Sequence, residues 1–321
     1  MNAGNATVDW LYDEQLKVDD AWSVRRSGGF TWWPHRHAQH VEVIGSEAGP
    51  DGNAGYFVRV KTDFVRNVNL SEEALTGIGL IMSNSTMSGL IYDPETKLLS
   101  LSSLVRVHEG IRPWMSRLIS VAAMLQVADA HFIAPNMPPL LGGESAESGH
   151  PENGLRPEPD ELAKGFGPMV WAAGEKPSAW NDWEFQQTVD QYMQRPPALV
   201  ATGGGPGLTV EFPYGEGSSL CEMKGGQGHP RIGNGLLLVQ SFPVGSISES
   251  DGTRLALELN VEELDRKPSG YGFGSYCFRD GCVRFTGFIP NVAYAEGFLP
   301  NLYFSCISRA HAMSARLADD D

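Results

Sequence analysis

A chain of 321 residues is too long for one typical core and fits two domains, and 41% hydrophobic with 20% charged residues is ordinary globular composition. The formal charge is −15, from 39 acidic against 24 basic side chains. With no Lys/Arg run longer than Arg25-Arg26, this disfavours nucleic acid, anionic membranes and acidic partners in general, and leaves basic or apolar ones open.

The opening "MNAGNATVDW" lacks a basic region followed by an apolar core, so no signal peptide is expected. Next, "VDWLYDEQLKVDDAW" reads as an aromatic-rich helical segment, and Gly28-Gly29 leads into extended sequence. In "GFTWWPHRHAQHVEV", Val41 and Val43 alternate as in a half-buried strand. A strand over 35–43 points His35 and His37 to one face and His40 to the other, so the three imidazoles do not form one metal site without a distant ligand. Phe30 and Trp32 share one strand face, and Thr31 and Trp33 the other. One tryptophan is expected beneath helices and the other on an open face.

Asn69 or Ser71 is placed to cap a short helix whose first turn carries Glu72 and Glu73, read as a solvated face rather than an acid/base pair. "GLIYDPETKLLSLS" is a hairpin turning at Asp93-Pro94. Glu109-Gly110 precedes a long helix, "WMSRLISVAAMLQVADA", with Pro113 near its start. Its apolar run falls short of the ~18 residues a membrane span requires. Residues 134–165 are rich in Pro, Gly and Glu and read as a partly extended linker.

The same order then recurs. "SAWNDWEFQQTVDQYM" is helical, Gly203-Gly204-Gly205 leads into strands bearing Phe212 and Tyr214, and Asn260-Val261-Glu262-Glu263-Leu264 corresponds loosely to the segment at Asn69. "SYCFRDGCVRFTG" is a hairpin at Asp280-Gly281, and Glu296-Gly297 precedes a terminal helix. The expected fold class is α+β: a tandem duplication of an α-β-β-β-α-β-β-α unit, with antiparallel sheets and helices on one face. Unit one covers 1–133, the linker 134–165 and unit two 166–321.

Catalytic signatures are sparse. "ATGGGPGLT" and "KGGQGHPRIGNG" lack the Walker ending and read as hairpin loops, and no Gly-x-Ser-x-Gly elbow occurs. His108 and His311 read as exposed or capping residues, and Cys306 as a small buried thiol. The four cysteines contain no CxxC pair and read as reduced thiols of a cytoplasmic protein.

On the Asn-apolar-Glu-Glu-Leu segments, the two hairpins and the helices after Glu109-Gly110 and Glu296-Gly297, the chain resembles the type III secretion chaperone and YbjN-like superfamily. "GFTWWPHRHAQHVEV" also resembles the opening of the actinobacterial tandem chaperone-like group called TY-Chap. The resemblance implies a bacterial, non-enzymatic protein without cofactor that holds a partner polypeptide, as a monomeric pseudo-dimer or a homodimer. Aromatic density on early strands makes Phe30, Trp33, Val41, Phe212 and Tyr214 the expected partner-binding residues, through sheet edges and apolar grooves. The alternatives are a metal-dependent or small-molecule enzyme using His35, His37 and His40, and a structural subunit whose sheet face is an obligate interface.

Overall fold

The computed structural model describes residues 1–49, 53–192 and 206–319. In the first half, α1 (Ala3–Trp10) precedes β1 (Ser23–Arg26), β2 (Gly29–Trp32), β3 (Gln39–Ala48) and β4 (Ala54–Arg66). Then follow α2 (Glu72–Ser83), β5 (Gly89–Asp93), β6 (Leu98–Val107) and α3 (Arg112–Phe132). A connecting stretch carries α4 (Pro138–Leu141), β7 (Glu144–Ser145) and α5 (Glu161–Gly174). The second half runs α6 (Asp182–Tyr192), β8 (Gly207–Tyr214), β9 (Gly217–His229), β10 (Gly233–Pro243), α7 (Glu249–Val261), β11 (Ser275–Arg279), β12 (Cys282–Pro290) and α8 (Phe298–Asp319). Among the described residues the protein is thus α+β, with eight α-helices and two antiparallel sheets.

Five strands of the first sheet, β2-β3-β4-β6-β5, run in the same order as the five of the second, and β1 and β7 are additional. The first runs β1-β2-β3-β4-β6-β5, with β7 pairing the end of β4; the second runs β8-β9-β10-β12-β11. In each, three hairpin-linked strands meet the last strand, and that strand's own hairpin partner forms the edge. Local chemistry fixes the turns. Asp280 and Gly281 both adopt positive φ, 52° and 72°, as a tight two-residue hairpin requires. Asp93 closes the other hairpin by accepting from the Glu95 N–H at 2.9 Å and the Thr96 hydroxyl at 2.7 Å. "KGGQGHPRIGNG" is the β9–β10 hairpin, as expected. Gly203-Gly204-Gly205 lies outside the described residues.

Ser71 and Ser248 cap α2 and α7 alike, each hydroxyl accepting from the backbone N–H three residues on. This corrects one expected correspondence. Asn69 to Leu75 opens α2, whereas Asn260 to Leu264 closes α7 and continues as a π-helical turn over Glu262–Arg266. The residue that caps α7 as Ser71 caps α2 is Ser248. Each long helix is held to its sheet by a buried glutamine: Gln39 donates to the Ala123 carbonyl of α3, and Gln240 to the Cys306 carbonyl of α8, both at 2.9 Å. The stretch Arg112–Asn136 is, against expectation, long and apolar enough to cross a membrane. However, 67% of its most apolar window is buried inside the protein, because α3 packs beneath β4 and β6 and beside α5.

The halves pack through a reciprocal seam. α2 lies on α7, α2 also meets β11, and α7 meets β5. Phe288 N–H donates to the Thr86 carbonyl at 3.0 Å, and Gly272 N–H donates to the Leu104 carbonyl at 3.1 Å. Positions 86 and 272 lie three residues before the two edge strands, and 104 and 288 lie on their partner strands. Arg59 ties β4 to Asp265 and also pairs Glu42 at 2.6 Å. Gly89 is required here, since a Cβ would come within 2.8 Å of the Gly274 carbonyl and 2.4 Å of Leu264.

Residues 134–165, expected as a partly extended linker, are hydrogen-bonded along the first half. β7 pairs Val65 and Arg66, Ser148 N–H donates to the Arg36 carbonyl at 2.7 Å, and Asp160 N–H to the Pro34 carbonyl at 2.7 Å. The stretch forms a strap across the first half, and α5 begins at Glu161, ahead of the expected boundary at 166. Few apolar residues are needed, because backbone hydrogen bonds to β4 and to the bend over 34–36 help to satisfy it.

Candidate functional site

The five residues expected to contact a partner are all buried. Phe30 packs edge-on against Tyr12 at 5.0 Å, and Val41, beside it in register, is fully enclosed. Phe212 meets Tyr303 of α8 at 5.5 Å, and Tyr214 meets Phe242 at 5.3 Å. Trp33 lies beneath the strap: its indole N–H donates to Ser148 at 3.1 Å, and His150 stands edge-on at 5.2 Å. A partner meets these side chains only by displacing the protein's own helices or the strap, so they are packing residues, and accessible surface has to be sought elsewhere. Trp32 is buried too, donating to Gln39 at 2.9 Å.

The histidine stretch bends rather than extends; β3 starts only at Gln39. Its three imidazoles find three different partners. His35 Nδ1 lies 3.1 Å from His131 Nδ1, His37 Nε2 lies 3.0 Å from Ser145 of the strap, and His40 meets Thr31 at 2.9 Å and Asp63 at 3.6 Å. Burial pushes the His37 pKa down to about 4 and also lowers that of His35, helped by His131. Among the described residues no group of three His, Cys, Asp or Glu is placed to hold a metal.

One buried charge cluster was not anticipated from sequence. Glu263, on the π-helical turn after α7, receives Arg309 of α8 at 2.7 Å and the Tyr276 hydroxyl at 2.7 Å. Arg309 also donates to the Tyr271 carbonyl at 3.1 Å and lies over the Phe285 ring at 3.6 Å. Burial opposes the guanidinium charge, but Glu263 outweighs it and the Arg309 pKa is raised. Arg309 and Glu263 are 0% and 2% exposed, so no substrate reaches them. The cluster anchors α8.

Accessible concave surface occurs at the seam. A groove of about 440 Å³ is lined by Arg254, Leu257, Glu258 and Val261, which recur on one face of α7, and by Glu262 just after it. Leu70, Tyr92 and Pro94 of the first half form the opposite wall, and Arg266 and Arg316 complete the rim. Tyr92 is fixed by donating its hydroxyl to the Val68 carbonyl at 3.0 Å. The groove exists only because the halves pack together. A second, of about 410 Å³, lies at the other end of the α2–α7 contact, with Leu80, Thr76 and Ser83 from α2 facing Phe278, Arg279 and Thr253. No spacing signal marks either groove in the sequence, because their walls come from segments far apart in the chain.

The chain matches no protein-family model, no curated protein and no solved structure.

Proposed function

We propose that the chain is a non-enzymatic, chaperone-like protein that holds a partner polypeptide, its halves being two copies of one unit packed as a dimer within a single chain. The observation that carries this reading is the reciprocal seam: corresponding helices and edge strands meet across it as in an isologous interface, and backbone hydrogen bonds join corresponding positions, though with donor and acceptor exchanged. Both grooves open at that seam and draw walls from both halves. Their mixture of apolar floor and polar rim suits side chains of an extended or helical segment. Kinship with the YbjN-like and secretion-chaperone proteins, and a cytoplasmic location, belong to the same proposal.

A photo-crosslinking residue at Pro94, on the wall of the larger groove, tests it in producing cells, with the exposed Glu152, on the strap beside the β1 edge of the sheet opposite β5, as control. Discrete adducts to another polypeptide are expected from position 94 and not from 152. Adducts that do not depend on position, or none at all from 94, overturn the reading.

A further inference from the structure

The two seam grooves occupy matching places but differ in charge. Tyr92 on β5 and Phe278 on β11 stand at corresponding edge-strand positions, and Leu257 and Leu80 come from the two capped seam helices. In the smaller groove the charged lining residues are Glu249 and Arg279, amid hydroxyls, glycine and the exposed Leu80. The larger groove gathers Arg254, Arg266 and Arg316 against Glu258 and Glu262.

These arginines are not equally engaged. Arg316 pairs with Glu262. Arg254 reaches across the seam and donates through Nη2 to the Leu70 carbonyl at 2.9 Å, leaving other N–H donors facing the groove rim. The Arg266 guanidinium is on an exposed residue and makes no hydrogen bond or ion pair with any other described residue. On a chain of formal charge −15, long-range repulsion works against an acidic ligand. A local arginine cluster over an apolar floor offsets that repulsion at this place, and the smaller groove has no counterpart.

We infer that the larger groove docks an acidic peptide segment, an inference that rests on the polypeptide-binding reading. An apolar side chain of the segment seats on Leu257, Val261 and Tyr92, and flanking Asp or Glu carboxylates take the free donors of Arg254 and Arg266. The smaller groove, lacking those cations, does not discriminate by charge.

Two short probe peptides with the same apolar residues, flanked either by Asp/Glu or by Asn/Gln and carrying a neutral dye, decide it by fluorescence anisotropy on the full chain. The acidic probe is expected to bind roughly tenfold more tightly than the neutral one, with the margin shrinking as salt rises. An Arg254→Gln/Arg266→Gln variant is expected to erase the margin without altering neutral-probe binding, and Arg279→Gln to leave it intact. Both targeted arginines are exposed, and because Arg254 also gives up its hydrogen bond to the Leu70 carbonyl, unchanged neutral-probe binding reports that the groove is intact. Equal binding of the two probes, no binding of the acidic one, or a margin that survives the double substitution overturns the inference. A positive crosslink at position 94 combined with equal probe affinities removes only the acidic specificity; loss of the crosslink removes the underlying reading.

Discussion

Burying a full ion pair is the costliest choice this sequence makes, and the Glu263–Arg309 pair shows how the cost is met. Every strong donor of Arg309 has a partner: Glu263 takes Nε and Nη2, Gln240 lies 3.4 Å from Nη1, and the Tyr271 carbonyl takes Nη2 as well. Tyr276 satisfies the second carboxylate oxygen, and burial together with Glu263 keeps its own phenol protonated well above the usual range. Desolvation makes the pair stable only as a pair. Arg309→Met alone leaves Glu263 buried and uncompensated, which costs about 3–5 kcal/mol, and Glu263→Gln strands the guanidinium to similar effect. The joint replacement Glu263→Leu/Arg309→Met is expected to be much milder than either. Urea denaturation of the three variants checks this; a double variant as unstable as the singles would show that the cluster matters for more than its charge.

Among the elements, the strap shows what sequence patterning can and cannot carry. Turns and caps are local, so Asp280-Gly281, Asp93 and Ser71 were legible from a few neighbouring residues. Trp33 was not, because its cover comes from Ser148 and His150, which belong to a stretch whose composition has no folding signal of its own. The Glu262-Glu263-Leu264 run misled for a related reason: it resembles the start of a helix, but Glu263 is placed by Arg309, far along the chain. The strap also carries a pH prediction. His37 sits beneath β7 with its pKa lowered to about 4 by burial, against about 6.5 in an unfolded chain. Between those values the unfolded state binds a proton that the folded state refuses, so stability falls as pH drops. His229, also lowered to about 4 by burial, acts in the same direction. At pH 5 the His37 contribution to this loss is about 1–2 kcal/mol relative to pH 7. Unfolding free energies at the two pH values should therefore differ less in His37→Gln than in the parent chain, and an unchanged difference would remove His37 as the titrating group.

Across the whole molecule, the consequential feature is that two sheets with five strands in the same order share a packed seam. Ser102 donates to the Leu264 carbonyl at 2.6 Å, Asn260 reaches Met82 at 3.3 Å, and Lys267 pairs with Glu47 at 3.1 Å, so the contact combines buried and rim interactions along its length. An interface of this kind holds without the covalent connection. Cutting between the exposed Pro157 and Glu158 leaves the strap through Pro157, with β7, on the first half and the Asp160 cap of α5 on the second. Co-expressed as separate chains, the halves are expected to elute as one equimolar complex. The halves expressed singly should self-associate or aggregate, because each exposes a seam helix and an edge strand built to be covered. Gly89→Leu should abolish the complex, since backbone at Gly274 cannot yield to the new side chain as a flexible side chain could. It should also lower the stability of the uncut protein. If the halves instead remain separate, soluble monomers under size-exclusion with light scattering, the seam is too weak to define the molecule. A groove needing both walls could not then persist, and the seam-based account of binding would fall with it.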